Sequence, residues 1–316
     1  MKAIRMHSKG GPELLAYEDA PKPQLQPGDA LVRVSASSIT KTELTWSETY
    51  TACDGTPRLP TIPGHEFSGV VEEITAGVTD VKVGETVYGL ASFCRDGSAA
   101  EYIAIRAADL APKPKTLDHV QAASIPLAAL TAWQAFFDHA SVTKGKRVLI
   151  HGAAGGVGIF AVQIANWVGA EVIATASASN HDFLGELGAH EVIDYNKVRF
   201  EDEVSDVDMV LDAVGGDTLD RSFGVLRRGG TLVSVAAEPS AEKAKEFGVH
   251  ALYFIVEPNR TQLIEIAHLI DAGRIRPILD TVLPLDQARQ AFERGLTNHA
   301  RGKIVLRVAE HAAARA

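Results

Sequence analysis

Val148-Leu-Ile-His-Gly-Ala-Ala-Gly-Gly-Val-Gly158 decides the fold of this 316-residue chain. Three apolar residues with strand character run into a glycine-dense turn. The turn opens on Ile159-Phe-Ala-Val-Gln-Ile-Ala-Asn-Trp-Val-Gly169, which has helical periodicity and a glycine where a helix stops. Strand, tight turn and helix N-terminus together form an anion site, because the first helical amides lack an internal partner and the dipole favours a phosphate. The spacing Gly152-x-x-Gly155-x-x-Gly158 departs from the strict dinucleotide fingerprint. Its weight comes from context: a further strand at Glu171–Thr175 completes a βαβ unit. In that frame Gly152, Ala154, Gly155, Gly156, Val157 and Gly158 are candidate pyrophosphate contacts. Gly155 and Gly156 let the ligand lie against the backbone, and Gly158 lets helix and strand pack closely.

Outward from this loop, strands alternate with helices. Glu191–Ile193, Met209–Asp212 and Thr231–Val235 read as strands, and Leu252-Tyr-Phe-Ile-Val suggests a sixth. The intervening helices start near Gly158, near Asn180 and at Asp217, the signature of a doubly wound parallel sheet. The region before about Asp118 is strand-rich instead, with Leu31–Ala36, Gly69–Ile74 and Thr86–Leu90 separated by Pro/Gly turns. Thr261–Ala272 is amphipathic, and Gly302–Val308 reads as a strand that returns to the first domain. The expected division is therefore a catalytic domain over 1–118, a dinucleotide domain over 119–258 and a returning segment over 259–316. The last six residues, His311 to Ala316, read as a frayed end.

A formal charge of −9 without any lysine or arginine run argues against nucleic acid as a partner. The N-terminus alternates like a strand and lacks the apolar core of a signal peptide. The longest uncharged stretch, Val120–Phe137, contains Pro126 and several polar residues, so it reads as a buried helix rather than a membrane span. Cys53 and Cys94 fit neither a disulfide framework nor zinc spacing, which points to a reducing, cytoplasmic location.

Seven segments in order carry a family resemblance: Pro63-Gly-His-Glu-Phe-Ser-Gly-Val-Val71, Val83–Gly89, Gly97–Tyr102, Leu130-Thr-Ala-Trp133, the Gly-rich loop, Gly188–Tyr195 and Arg301-Gly-Lys-Ile-Val305. The chain resembles the medium-chain dehydrogenase/reductase superfamily over nearly its whole length, and within it the zinc-independent quinone oxidoreductase branch. The resemblance implies an α/β fold: a GroES-like β-barrel domain, a Rossmann domain, and a cleft where nicotinamide meets substrate. It also implies homodimerisation through the Rossmann edge, with the strand near Leu252 as the candidate.

Gly64-His65-Glu66 is the segment that supplies a histidine ligand in zinc relatives of this superfamily. The thiolates that would complete the site fall at Thr40 and about Ala128, and alanine cannot ligate, so no metal is expected. His65 and Glu66 then read as structural, holding the turn before a strand by hydrogen bonds. The second Rossmann strand ends Ala174-Thr-Ala-Ser-Ala-Ser-Asn-His181, without the acid that binds an NAD ribose and repels the NADP phosphate. NADPH is the expected cofactor, with Ser177 either contacting its 2′-phosphate or serving as a helix N-cap. The resemblance places Thr131, Tyr195, Val214, Gly215, Ser234, Val235 and Phe254 along the cofactor. It places Lys303 there too, though a strand-edge lysine would read the same way.

A zinc-free hydride-transfer site suits conjugated acceptors: quinones, enones or enals, whose oxygen needs a hydrogen-bond donor. Thr40 and Tyr50 are the candidate donors, although an aromatic at Tyr50 equally suits packing. Trp46 is a candidate apolar wall, while Lys41 and Glu43 read as a solvated pair and His151 as a satisfied core histidine. An enoyl reductase, an alcohol dehydrogenase-like enzyme and a dinucleotide-binding protein without turnover remain the alternative readings.

Overall fold

The computed structural model describes residues 1–297 and 300–308; the expected frayed end lies outside them. The alternating segments of the first third form antiparallel strands, buried on the core side. A hairpin pairs β1 (Lys2–Met6) with β2 (Leu15–Asp19). Then come β3 (Asp29–Ser38), β4 (Glu66–Ile74), β5 (Thr86–Leu90), β6 (Tyr102–Arg106) and β7 (Leu110–Pro112). Inward-facing Val32, Val34, Phe67, Val87, Ile103 and Leu110 fill their core.

The strands expected around the Gly-rich loop all form: β8 (Arg147–His151), β9 (Glu171–Ala176), β10 (Glu191–Asp194), β11 (Val207–Asp212), β12 (Leu226–Ser234) and β13 (His250–Tyr253). They make a wholly parallel sheet in the order β10-β9-β8-β11-β12-β13. Such near-continuous apolar strands need both faces covered. On one face Leu149, Ile173, Val210 and Leu232 pack with Phe200 and Phe223. The strand order reverses beside β8, so the Gly-rich loop sits at the switch point where open α/β sheets bind ligands.

After the helix Arg260–Asp271, β14 (Leu279–Pro284) and β15 (Lys303–Arg307) complete the first sheet in the order β14-β15-β3-β4-β5-β7, with β6 also on β3. The chain divides into two compact units. One contains Met1–Leu127, Glu257–Ala272 and the described residues from Pro277 to Val308; the other contains Ala128–Val256 and Gly273–Arg276. The first division falls later than the expected residue 118. A capping box at Asp118 starts the helix His119–Ala123, and Ala123 packs with Ala36 and Val305 of the first sheet.

Two expectations need correction. Val120–Phe137 is not one helix: His119–Ala123 is followed by a new helix at Pro126–Trp133 and a π-helical turn over Gln134–His139. Pro126 has no amide to continue the first helix but is well suited to open the second. The cysteines are also not separate. Cys53 and Cys94 form a disulfide with Cα atoms 5.0 Å apart, across 41 residues. No local spacing signals a bridge between two distant loops.

Candidate active site

On the dinucleotide-binding unit, Gly152 takes a left-handed φ of +71° and turns the chain out of β8. Gly155 is the N-cap of the helix Gly156–Val168 and has no side chain to cap it. The first helical bond in this stretch runs from the Ile159 amide to the Gly155 carbonyl. The amides of Gly156, Val157 and Gly158 therefore have no intrahelical acceptor. A Cβ on Gly158 would lie 2.3 Å from the Gly152 carbonyl oxygen and 2.5 Å from Ala153 Cα, so only glycine allows this close packing. An uncapped helix end of this length, lined by backbone alone, fits the pyrophosphate of a dinucleotide.

At the end of β9, Ser177 is half-buried and does not cap the short turn that follows it. Its Oγ accepts from Asn180 Nδ2 at 3.1 Å and lies 3.2 Å from Ser179 Oγ. This cluster of small polar groups replaces the N-cap reading. The first acid, Asp182, lies inside the helix His181–Glu186, and the buried Nε2 of His181 has no hydrogen-bond partner. Tyr195 follows β10 and is exposed, as a surface that stacks on a flat ring would be. Thr131 is buried in the helix Pro126–Trp133, and Phe254 packs against the His139 ring at 4.5 Å.

The residue sequence reading missed here is Asp212, fully buried at the end of β11. Its carboxylate accepts from the amides of Val214 and Gly215 at 3.1 and 3.0 Å, and from Ser234 Oγ at 2.8 Å. Ser234 Oγ in turn accepts from the amides of Ala236 and Ala237, and the Val235 amide donates to the Asp212 carbonyl. One carboxylate thus shapes the turns after two adjacent strands. The Ser234 hydroxyl is correspondingly fully engaged, donating once and accepting twice. A buried acid at the C-terminal end of a central parallel strand was the available signal. His151, at the end of β8, is satisfied on both ring nitrogens by Thr175 Oγ1 at 2.9 Å and Ser222 Oγ at 3.1 Å. Burial, with the Arg221 charge adding to it, pushes its ring down to about 3.

On the other unit, Thr40 follows β3 half-buried, and its carbonyl accepts from the Glu43 amide at 2.9 Å. Tyr50 does not fit the expected donor role: its buried hydroxyl donates to the Leu44 carbonyl at 2.6 Å and sits 3.5 Å from Met6 Sδ. A phenol has one proton to give, and the fold uses it. Glu43 is not a solvated partner of Lys41 but is 1% exposed. Its side chain faces His65, with Oε2 3.9 Å from the His65 Nε2. That separation exceeds hydrogen-bond reach. Neither oxygen of Glu43 and neither nitrogen of His65 has a hydrogen-bond partner. The backbone amides of Thr40 and Gly64 favour the ionised carboxylate from outside hydrogen-bond geometry. Burial prevails over them and over the Lys303 charge, with Glu66 reinforcing it, and pushes Glu43 up to about 8. Burial, with the Arg58 charge, pushes His65 down to about 3. Trp46 stacks on the His65 ring at 5.9 Å and Phe93 leans on it at 4.7 Å. The result is a buried histidine flanked by two aromatic rings, with the buried Glu43 carboxyl facing it.

Glu66, unlike His65, holds the structure as expected: its Oε2 accepts from the Leu127 amide at 3.0 Å. Its Oε1 pairs with Lys303, which also donates to the Ile39 carbonyl at 3.2 Å. Lys303 is neither at a strand surface nor open to a ligand; it is 5% exposed and neutralises a buried carboxylate. The residues do not fit a catalytic zinc: Thr40 offers a hydroxyl where a thiolate belongs, and Ala128 has no donor atom. Among the described residues no group of three histidine, cysteine or acidic side chains is arranged to hold a metal. None of their helices is long and apolar enough to cross a membrane.

Residues 26–115 match the alcohol dehydrogenase GroES-like domain, and residues 187–306 match the zinc-binding dehydrogenase domain. A probable zinc-binding oxidoreductase, mitochondrial, from Arthroderma benhamiae is 33% identical over 93% of this chain and 92% of its own length. An NADPH-dependent alkenal/one oxidoreductase, chloroplastic, from Arabidopsis thaliana is 32% identical over 97% of this chain and 79% of its own. The solved quinone oxidoreductase from Coxiella burnetii superposes with a TM-score of 0.91 at 34% identity, covering 98% and 99% of the two chains. With the Gly-rich loop at the sheet's switch point and the zinc thiolates replaced, the chain belongs to the medium-chain dehydrogenase/reductase superfamily, in its zinc-independent quinone oxidoreductase branch.

Proposed function

We propose that this protein binds NADPH and reduces quinones or α,β-unsaturated carbonyls. The observation that carries the reading is the uncapped helix end at Gly156 beside a β9 terminus that offers Ser177, Ser179 and Asn180 but no carboxylate. Hydroxyls and an amide at that position accept a 2′-phosphate, where an acid would repel it. The names of the Arabidopsis and Coxiella relatives support the acceptor class. The bound nicotinamide supplies the hydride. Gly152–Gly158 hold the pyrophosphate, and the Asp212 hub fixes the turns at Val214–Gly215 and Val235–Ala237. With Tyr50 engaged elsewhere, Thr40 is the donor left for the acceptor's oxygen. Glu43, facing His65, keeps its proton at neutral pH.

NADPH oxidation measured against a panel of quinones, enals, enones and enoyl thioesters tests the reading. Turnover with quinones or enones is expected. Turnover confined to thioesters favours an enoyl reductase, and none with any acceptor favours a dinucleotide-binding protein without catalysis. Fluorescence titration should show NADPH binding tighter than NADH; equal affinities overturn the cofactor assignment. Pairing through the β13 edge, where Tyr253 and Ile255 are exposed, gives a homodimer whose mass sedimentation would report. A cytoplasmic site of action requires the Cys53–Cys94 bridge to open under reducing conditions.

A further inference from the structure

We propose that Cys53 and Cys94 form a reversible thiol–disulfide exchange site, opened by low-molecular-weight thiols, that controls how firmly Phe93 is held against His65. The bridge joins two loops of one unit. Cys53 is exposed near the tip of a turn closed by the Thr51–Pro57 β-bridge. Within that turn the Ala52 amide donates to the Thr56 carbonyl, the Gly55 amide to the Ala52 carbonyl, and Thr56 to Asp54. The base of the turn is fastened separately: Arg58 donates to the carbonyls of Glu48, Thr49 and Phe93 and to Asp96. The tip has no such polar fastening to the 91–97 loop among the described residues; the sulfur bridge ties it there. Cys94 directly follows Phe93, whose ring flanks His65 and stands 5.6 Å from Trp46. An exposed sulfur is thus linked covalently to the backbone of a residue that walls the candidate site.

The chemistry balances with a single redox couple. A small thiolate attacks the exposed Cys53 Sγ, the S–S bond breaks, and Cys94 leaves as a thiolate. Ser92 Oγ, 3.4 Å from Cys94 Sγ, is placed to donate to that leaving sulfur. A second small thiolate then attacks the mixed disulfide, releasing Cys53 and forming the small-molecule disulfide. Two electrons pass from two thiols to the bridge, and the small-molecule disulfide reverses both steps. Because the cofactor residues lie on the other unit, the redox state is expected to change acceptor binding and not dinucleotide binding.

The kinetic arm of the test rests on the proposed acceptor activity; the other two arms do not. Native protein is equilibrated with oxidised or reduced glutathione, alkylated with iodoacetamide under denaturing conditions and weighed by mass spectrometry. No label is expected after oxidised glutathione and two labels after reduced, with full return between them. Two labels after oxidised glutathione, or a bridge that reduced glutathione leaves closed in the native protein, overturns the proposal. Freeing the tip should speed cleavage before the exposed Asp54 by Asp-N endoproteinase roughly tenfold, as expected for easier local opening. Equal cleavage in both states overturns the proposal as well. In the kinetic arm the acceptor KM should rise on reduction with NADPH affinity unchanged, and Cys94→Ser, which cannot form the bridge, should behave as the reduced protein in the proteolysis and kinetic assays. A Cys94→Ser protein that matches the oxidised state refutes the inference. If neither state turns over any acceptor, the functional assignment alone fails, because labelling and proteolysis still decide the bridge.

Discussion

His151 and His65 are buried to the same degree, 0% and 1% exposed, and burial pushes both rings down to about 3. Both touch an aromatic ring, but their hydrogen bonding differs. His151, on the dinucleotide-binding unit, has a hydroxyl on each ring nitrogen. His65, on the other unit, has aromatic rings on its faces, an unpartnered carboxyl 3.9 Å away and nothing on its nitrogens. Burying a polar group without a partner costs free energy, so native structures rarely retain one without a use. Burial and a depressed pKa therefore do not distinguish the two histidines; their hydrogen-bond partners do. The same contrast separates Glu66, paired with Lys303, from Glu43, paired with nothing within hydrogen-bond reach.

The largest expected effect is on the satisfied histidine. His151→Ala empties a site packed on Phe200 and strips Thr175 of its partner, costing about 3 kcal/mol, or roughly 6–12 °C in Tm. Thermal unfolding checks this, and a loss below 1 kcal/mol would break the comparison from one side.

The pH dependence of stability comes next. Glu43 titrates at about 8 in the fold against an ordinary 4.5, so the fold holds that proton more tightly and loses stability as pH rises from 4.5 to 8. His65 and His151 titrate at about 3 against 6.5, so the unfolded chain protonates first and stability falls as pH drops from 6.5 towards 3. Between 4.5 and 6.5 the two histidines outweigh the one acid, which puts the optimum near the histidines' ordinary value. Above it Glu43 lowers stability by about 1.4 kcal/mol per pH unit, or roughly 2 kcal/mol by pH 8. Urea unfolding at several pH values should show this alkaline limb in the wild type and its absence in Glu43→Gln. A limb that survives the substitution removes Glu43 from the account.

His65→Leu sharpens the contrast from the other side. With no hydrogen bond to lose and a similar volume, it should stay within about 1 kcal/mol of wild type. Acceptor turnover should nevertheless fall roughly 10–100-fold if the pair handles the proton of the reaction. Destabilisation comparable to that of His151→Ala, with turnover intact, would make both histidines structural. The smallest effect belongs to Ser177→Ala, expected to weaken NADPH binding about 3–10-fold, the worth of one hydrogen bond of about 1 kcal/mol, while leaving NADH unchanged. Titration of the two cofactors reads this directly.

Most of the dinucleotide-binding unit was legible in the chain because its determinants are local. The strand Arg147–His151, the turn at Gly152 and the helix to Val168 lie in one continuous stretch, and strand periodicity marked β9 to β13 within a few residues. His151 was likewise readable as a core residue from its place at the end of a buried strand. The missing thiolates at Thr40 and Ala128 were legible once the family resemblance marked those positions, and the missing acid after Ala176 from the strand's end alone. The other unit was less legible because its site is assembled from residues far apart in sequence. Lys41 and Glu43 look like a surface pair until His65, Glu66 and Lys303 gather around a buried Glu43. Lys303 meets Glu66 across 237 positions, and Cys53 meets Cys94 across 41. Tyr50 could have faced a ligand, and only packing turned its hydroxyl to Leu44. Backbone preferences and residue chemistry act over a few positions and so fixed the cofactor loop and the absent ligands. Burial and partnership depend on which distant segments meet, and that is why the tertiary structure alone decided the states of Glu43, His65 and Lys303 and the pairing of the two cysteines.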